Sequence, residues 1–176
     1  EVAEAENLAI KLSRADITTT KGLEALDNFI EETSPDLSGF VHCAATGVHK
    51  ALGDLTGRHF DWTYALNVRA FFELVRKLLP RFRNNSSILA ISSAGAERAA
   101  HHYCLVGSSK GALESLVRHF AAELAPKGIR VNTISPGTLQ TDAWDVLPNS
   151  EERLAAAGQR APLGRLVTLE EVAQTA

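Results

Sequence analysis

Short, continuously apolar runs alternate with longer amphipathic runs along most of this 176-residue chain. An apolar run of strand length indicates a strand that is buried on both faces, and helical spacing between such runs indicates crossover helices. The alternation predicts an α/β fold, a doubly wound parallel sheet with helices on both faces. Ligands bind such sheets beyond the carboxyl ends of the strands, so polar residues that follow strands are the first candidates for a functional site.

The individual elements are predicted from this patterning and from helix start and stop signals. Strands are expected at Leu8–Ala15, Gly39–Ala45, Ile88–Ser92 and Arg130–Ile134, and helices at Lys21–Glu32, His59–Arg83, Ser108–Ala125 and Asn149–Ala157. A last helix is expected from Thr168, because Thr168–Glu171 has the spacing of a capping box. Pro80 is expected to kink or end the second helix, and Ser150 to cap the fourth.

Length and composition indicate one domain, residues 1–176, with a substantial core. The net charge of −3 gives no reason to expect a nucleic acid or an anionic membrane as a partner. No apolar run approaches the roughly 20 residues that span a bilayer. Cys43 and Cys104 are too few for a disulfide framework or a zinc site, so no metal is predicted and a cytoplasmic location is expected. The chain starts at Glu1, contains no methionine and is interpreted as trimmed or incomplete.

A hydroxyl, a phenol and an ammonium come together where a strand passes into a helix, in the residues Ser93, Tyr103 and Lys110. Tyr103 stands seven residues before Lys110, which is nearly two helical turns. Both side chains would then share a face but lie about 10 Å apart along the axis. Tyr103 must therefore lean forward or precede the helix. Val106 occupies the position four residues before Lys110.

Several motifs together resemble the short-chain dehydrogenase/reductase family from Asp16 onward. They are Asp16-Ile-Thr, Ala44-Ala45 after a strand, Asn67 in the long helix, Ile91-Ser92-Ser93, Ser109-Lys110-Gly111-Ala112-Leu113 and Arg130-Val-Asn-Thr-Ile-Ser-Pro136-Gly137. The resemblance implies a Rossmann-like sheet. It departs from the family at His42-Cys43, where paired asparagines are usual.

The family's glycine-rich phosphate loop does not occur in this sequence. A dinucleotide pyrophosphate needs such close backbone approach at a helix N-terminus. The fold is therefore expected to be incomplete at its N-terminus, without the strand–helix–strand segment of the phosphate loop, and to lack the last strand. A protein of only these residues is expected to bind a dinucleotide poorly.

The resemblance implies the cofactor NADPH or NADH, with NADPH slightly favoured, and a role for each matching residue. The implied cofactor-binding residues are Asp16, Ile17, Ala44, Ala45, Lys110, Pro136, Gly137, Thr138 and Thr141. The implied catalytic group is Tyr103, Lys110, Ser93 and Asn67. In these roles Tyr103 hydrogen-bonds the substrate oxygen and stabilises the enolate that forms when hydride is added. Lys110 binds the nicotinamide ribose, and Asn67 holds a backbone carbonyl or a water near Lys110.

The displaced tyrosine bears on the reaction. In a ketone the hydride adds to the carbon that carries the oxygen, whereas in an enoyl thioester it adds to the β-carbon, two bonds further from the oxygen that becomes negative. A phenol set back along the helix suits the second geometry. Tyr-x₆-Lys spacing is the pattern of enoyl-acyl-carrier-protein reductases, and the chain most resembles their FabL type (enoyl reductase III). The implied substrate is an acyl thioester of acyl carrier protein or coenzyme A, covered by a lid at 143–160, in a homo-oligomeric enzyme of fatty-acid or related metabolism.

Other interpretations remain open for the same residues. Tyr103 and Val106 are also compatible with a ketone or 3-oxoacyl reductase that uses Tyr103 from an unusual place, or with a non-catalytic dinucleotide-binding sensor or scaffold. His101 and His102 are interpreted as polar loop residues, because adjacent residues do not share a face. Trp144 suits lid packing and substrate contact equally.

Overall fold

The computed structural model describes residues 10–141 and 149–176. In this part of the chain three strands form one parallel sheet in the order β1-β2-β3: β1 (Leu37–His42), β2 (Phe82–Ile91) and β3 (Arg130–Ile134). His42 pairs with Ala90 and Ile91 pairs with Ile134, so the three strands end side by side. The parallel α/β sheet expected from the sequence is confirmed, and its carboxyl edge carries the segments that follow each strand.

Six α-helices accompany the sheet within the described residues: α1 (Thr20–Thr33), α2 (Gly57–Tyr64), α3 (Ala70–Leu78), α4 (Cys104–Leu124), α5 (Ser150–Arg160) and α6 (Leu169–Thr175). A π-helical turn, Ala65–Arg69, joins α2 to α3. The expected long helix is thus two α-helical segments with a wider turn between them. It ends in the short 3₁₀ turn Leu79–Arg81, where Pro80 cannot continue the α-helical hydrogen bonding.

The core lies between the sheet and the helices α3 and α4. Ile88 and Ala90 of β2, Phe71 of α3 and Leu113 of α4 are all fully buried in it. Each large apolar side chain buried in this way contributes about 1.5–3 kcal/mol relative to an exposed one. Packing of α3 and α4 on one sheet face therefore holds the start of α4 at a set position over the end of β2.

The strand expected at Leu8–Ala15 is not formed in its described part, residues 10–15, which carry no strand assignment and are mostly exposed. A strand exists only through hydrogen bonds to a neighbouring strand. No strand of the described residues lies beside this segment, and the strand prediction is wrong for these residues.

The starts of α4 and α5 also differ from the sequence prediction, as those of α1 and α2 do by one and two residues. Helix α4 begins at Cys104 rather than Ser108, and Tyr103 becomes its cap residue. In α5, Ser150 is already helical and the cap is Asn149, in the left-handed conformation with φ 54°. The expected capping box is confirmed: Thr168 accepts from the Glu171 backbone N–H, and the Glu171 carboxylate accepts from that of Thr168.

Within residues 10–141 and 149–176, no helix combines the length and the apolar composition that a bilayer crossing requires.

Candidate active site

Ser93 and Tyr103 meet through their hydroxyl groups beyond the end of β2. The oxygens lie 3.2 Å apart, and the Ser93 Oγ also accepts a hydrogen bond of 3.2 Å from the Gly95 backbone N–H. Tyr103 lies directly before α4, so the second of its two expected placements is the observed one. The left-handed backbone of His102, with φ 57°, helps to turn the chain into the helix there.

The Tyr103 ring is confined by two glycines. A Cβ atom on Gly95 would lie 2.4 Å from Tyr103 Cε1, and one on Gly107 would lie 3.3 Å from Tyr103 Cδ1 and 2.6 Å from the Gly95 carbonyl oxygen. The His49 ring tilts against the tyrosine with 5.3 Å between ring centroids. The phenol is therefore held by close backbone approach, and His49 is a neighbour that the sequence analysis did not single out.

Lys110 is buried, with 6% of its surface exposed, in the second turn of α4. Its Nζ donates a hydrogen bond of 2.7 Å to the Ile91 carbonyl oxygen at the end of β2. Burial lowers the pKa of the Lys110 ammonium, and the nearby Cys43 thiol partly offsets this. The other ammonium donors have no hydrogen-bond partner among the described residues, which leaves them available to a ligand at the carboxyl edge.

Asn67 ties the segment after β1 to helix α4. It is fully buried in the π-helical turn, and its Oδ1 accepts from the Thr46 backbone N–H at 2.8 Å. Its Nδ2 donates to the Thr46 carbonyl oxygen at 2.8 Å and to Ser109 Oγ at 2.9 Å. Asn67 thus holds the Thr46 backbone together with Ser109, the residue that precedes Lys110.

Val106 is buried against the same segment. A Cβ atom on Gly47 would lie 2.0 Å from Val106 Cγ2, so the two residues fit only because position 47 has no side chain. The place four residues before Lys110 is therefore filled by a packed apolar side chain.

His42 ends β1 as a fully enclosed imidazole. Its Nε2 is buried and has no hydrogen-bond partner among the residues that the structure describes, and its ring lies 5.3 Å from the Phe71 ring. Burial, with a smaller contribution from Lys110, lowers the pKa of His42 to about 4. The ring is consequently neutral at physiological pH. His42 stands where the short-chain dehydrogenase/reductases usually have the first of two asparagines. This departure from the family pattern was the sign in the sequence that the position is unusual.

The expected cofactor residues fall into two groups. Ala44, Ala45, Pro136, Gly137 and Thr138 follow β1 or β3 and so share the carboxyl edge with Ser93 and Lys110. Asp16 and Ile17 lie in the segment before α1, and the exposed Thr141 lies three residues beyond Thr138 in the segment after β3.

Asp16 begins the turn into α1. Its Oδ1 accepts hydrogen bonds from the backbone N–H and the hydroxyl of Thr18, at 3.0 and 2.6 Å, and these bonds lower the pKa of the exposed carboxyl. The carboxylate is thus ionised and is held in place by local contacts. Gly22 lies directly beneath, since a Cβ atom there would meet the Asp16 carbonyl oxygen at 1.9 Å.

Three further expectations concern the edges of the site. Of the predicted lid at 143–160, residues 143–148, including Trp144, lie outside the described residues, and most of the remainder is α5. The rings of His101 and His102 do lie together, with 4.8 Å between centroids, because the left-handed turn at His102 changes the usual divergence of adjacent residues. In the described part of the chain, no group of three or more His, Cys, Asp or Glu residues is placed to hold a metal ion.

All 176 residues match the family described as enoyl-(acyl carrier protein) reductase. The chain belongs to that family. The resemblance to the short-chain dehydrogenase/reductases is confirmed.

Named relatives support this placement. The chain is 35% identical to 1-cyclohexenylcarbonyl-CoA reductase of Streptomyces collinus over 92% of its own length and 59% of that protein. It is 30% identical to the enoyl-acyl-carrier-protein reductase (NADH) FabI of Aquifex aeolicus, covering 93% of the chain and 62% of the relative. It is also 34% identical to the 7alpha-hydroxysteroid dehydrogenase of Escherichia coli, covering 93% and 64%. The chain thus spans about three fifths of the length of these relatives.

The fold comparison agrees. The crystal structure of the enoyl-acyl-carrier-protein reductase (NADH) from Aquifex aeolicus superposes with a TM-score of 0.89 at 28% identity, over 99% of this chain and 69% of that one. These similarities are to the FabI type and to the CoA reductase, and they do not single out the FabL type expected from the sequence.

Proposed function

We propose that the protein containing this chain reduces the carbon–carbon double bond of an enoyl thioester. The observation that carries the proposal is the placement of Tyr103: its hydroxyl meets Ser93, whereas the place four residues before Lys110 holds the packed Val106. A phenol that lies seven residues before Lys110 can donate its hydrogen bond to an oxygen some bonds away from the carbon that receives the hydride, as in an enoyl thioester. The names of the FabI relatives and of the CoA reductase describe reductions of unsaturated acyl thioesters, which supports the same reaction.

The residues present fit the nicotinamide half of a dinucleotide. Lys110 keeps free ammonium donors at the strand ends, which suit ribose hydroxyls, and the segments after β1 and β3 carry the small residues Ala44, Ala45 and Gly137. In this proposal Pro136 and Thr138 line the nicotinamide, Asp16 and Ile17 contact the adenine, and Thr141 lies near the pyrophosphate. When bound, the dinucleotide supplies the hydride. The FabI names specify NADH and give no support to the NADPH preference.

Each side chain of the site then has a task. Tyr103 donates its phenol hydrogen bond to the thioester oxygen, where negative charge develops, and Ser93 orients that phenol. The Lys110 ammonium adds a positive charge in a poorly solvated place, where electrostatic stabilisation is strongest. Asn67 is a positioning residue, because it acts through Thr46 and Ser109.

The test is to measure NADH and NADPH oxidation by the full-length protein with crotonyl and acetoacetyl thioesters side by side. We expect turnover of the crotonyl thioester. Turnover of the acetoacetyl thioester alone would replace the proposal with the second candidate, a carbonyl reductase, which the 34% identity to a hydroxysteroid dehydrogenase favours. Binding of the dinucleotide without turnover of either would favour the sensor or scaffold.

A further inference from the structure

A cavity of about 600 Å³ opens beside Tyr103, on the outer side of the site. Its wall is formed by the loop from Gly95 to Tyr103, the first turns of α4 and the segment Lys50–Leu52. This volume lies within the range of about 300–1,000 Å³ that is usual for small-molecule sites. Tyr103 is part of the wall, so a ligand in the cavity would lie beside the residue that carries the proposed catalytic phenol.

Four basic side chains stand in the wall of the cavity among mostly small or apolar residues, although the chain as a whole has a net charge of −3. Lys50, Arg98, His101 and His102 all belong to the lining and are exposed, and Glu97 is the one carboxylate in it. None of the ion pairs in the described residues involves Lys50, Arg98 or Glu97. Among residues 10–141 and 149–176, Lys50 and Arg98 thus have no ion-pair partner that an anion would have to displace.

The loop conformation brings these groups to the cavity. His102 has φ 57°, a backbone state that is uncommon for a residue other than glycine and that concentrates at functional sites. This turn sets the His101 and His102 rings against each other and leads into Tyr103. The same backbone feature thus places the phenol and the basic lining.

We propose that this basic cavity binds the phosphate of the phosphopantetheine arm that carries the acyl thioester, with Lys50 and Arg98 as its principal ligands. The inference rests on the proposed function. Coenzyme A and acyl carrier protein present their thioesters on the same arm, which ends in a phosphate, so one site serves both carriers. The Arg98 guanidinium can donate two parallel hydrogen bonds to a phosphate, and the Lys50 ammonium can bind it as a point charge.

The test compares thioesters that differ in this phosphate. The double variant Lys50→Ala/Arg98→Ala of the full-length protein is assayed with crotonyl-CoA, crotonyl acyl carrier protein and the crotonyl thioester of N-acetylcysteamine, which has no phosphate. We expect KM for both phosphate-bearing substrates to rise on the order of tenfold, since a charged hydrogen bond contributes about 1.4 kcal/mol or more. KM for the N-acetylcysteamine thioester should stay within about twofold.

The matched control is Lys127→Ala/Arg130→Ala, which removes two exposed positive charges near the start of β3, at the opposite edge of the sheet. It should leave all three KM values unchanged. Equal effects of the two double variants would overturn the proposal, because they would reflect net charge alone. An effect confined to CoA would also overturn it, because the cations would then bind the nucleotide part.

A direct binding measurement separates this inference from the proposed reaction. Calorimetric titration with free 4′-phosphopantetheine, which carries the arm's phosphate without the nucleotide, should show at least fivefold weaker binding to the Lys50→Ala/Arg98→Ala variant than to the wild type. If no enoyl thioester is turned over but this difference is found, the reaction is wrong and the phosphate site stands. If turnover is found but the affinity for 4′-phosphopantetheine is unchanged, the phosphate site is wrong.

Discussion

The hydroxyl oxygens of Ser93 and Tyr103 lie 3.2 Å apart although Ser93 follows a strand and Tyr103 precedes a helix. Their contact depends on the packing of α4 over β2, which brings the two chain segments to one edge of the sheet. A phenol fixed by a neighbouring hydroxyl is already oriented before substrate arrives. The pair is therefore the part of the site where small substitutions should be most informative.

Replacing Tyr103 by phenylalanine removes the phenol hydroxyl and keeps the ring between Gly95 and Gly107. We expect kcat with an enoyl thioester to fall about 100-fold or more, as for other donors to a developing oxyanion, with dinucleotide affinity nearly unchanged. Steady-state kinetics and a fluorescence titration measure the two effects. Tyr64→Phe changes the chain's other tyrosine, which stacks on Phe60, and should keep full activity. Full activity of Tyr103→Phe would remove Tyr103 from the mechanism.

Gly47 and Val106 should be coupled in stability. Gly47→Ala places a methyl group on Val106 Cγ2 and should cost about 1–3 kcal/mol of unfolding free energy through overpacking. Adding Val106→Ala makes room for that methyl group. The double variant should then be more stable than the sum of the single changes predicts, by about 0.5–3 kcal/mol in urea denaturation. Simple additivity would contradict the contact.

Loss of Asn67 should lower the stability of the protein. Asn67→Leu leaves the Thr46 backbone N–H and carbonyl and the Ser109 hydroxyl without this partner, at about 1–3 kcal/mol per buried unpaired group. We expect a total loss of about 3–5 kcal/mol in chemical denaturation. Asn132→Leu, at an exposed site on β3, is the control and should stay within about 0.5 kcal/mol of the wild type.

The buried His42 should make the protein sensitive to acid. Its pKa is about 4 in the folded state against 6.5 in the unfolded chain, so between these values the unfolded state binds more protons. Stability is then fully present above about pH 6.5 and falls by about 3 kcal/mol as the pH is lowered to 4. Denaturation measured across this range should show a flatter curve for His42→Phe. The exposed His119→Gln should keep the wild-type curve, and a wild-type slope in His42→Phe would show that another group is responsible.

Much of the fold follows from local pattern. Strand β3 has the expected bounds, the capping box at Thr168 is formed, and the residues after β1, β2 and β3 share one edge. These features depend on apolar periodicity, side-chain capping and the geometry of parallel strands, all of which a sequence displays directly.

The unpredicted features depend on contacts between distant segments. The early start of α4 and the left-handed His102 follow from how the Tyr103 ring fits between Gly95 and Gly107. The hydrogen-bond partners of Asn67 are 21 and 42 residues away along the chain. The segment before Asp16 was predicted as a strand from its composition, and its described part forms none. A strand requires a neighbouring strand, which composition does not reveal.

The π-helical turn at Ala65–Arg69 separates two roles of one continuous helical segment, namely the hydrogen bonding of Asn67 and the packing of α3 in the core. In a regular α-helix, inserting or deleting one residue rotates everything beyond it by about 100°. The wider turn accommodates one extra residue within itself. Helix α3 therefore keeps the orientation that buries Phe71, while Asn67 is directed at Thr46. Such turns are frequent at functional sites. Deleting one residue from this turn would thus rotate the Asn67 amide away from Thr46. The apolar face of α3 would keep its packing in the core. The position of Asn67 can therefore change without a change in the core.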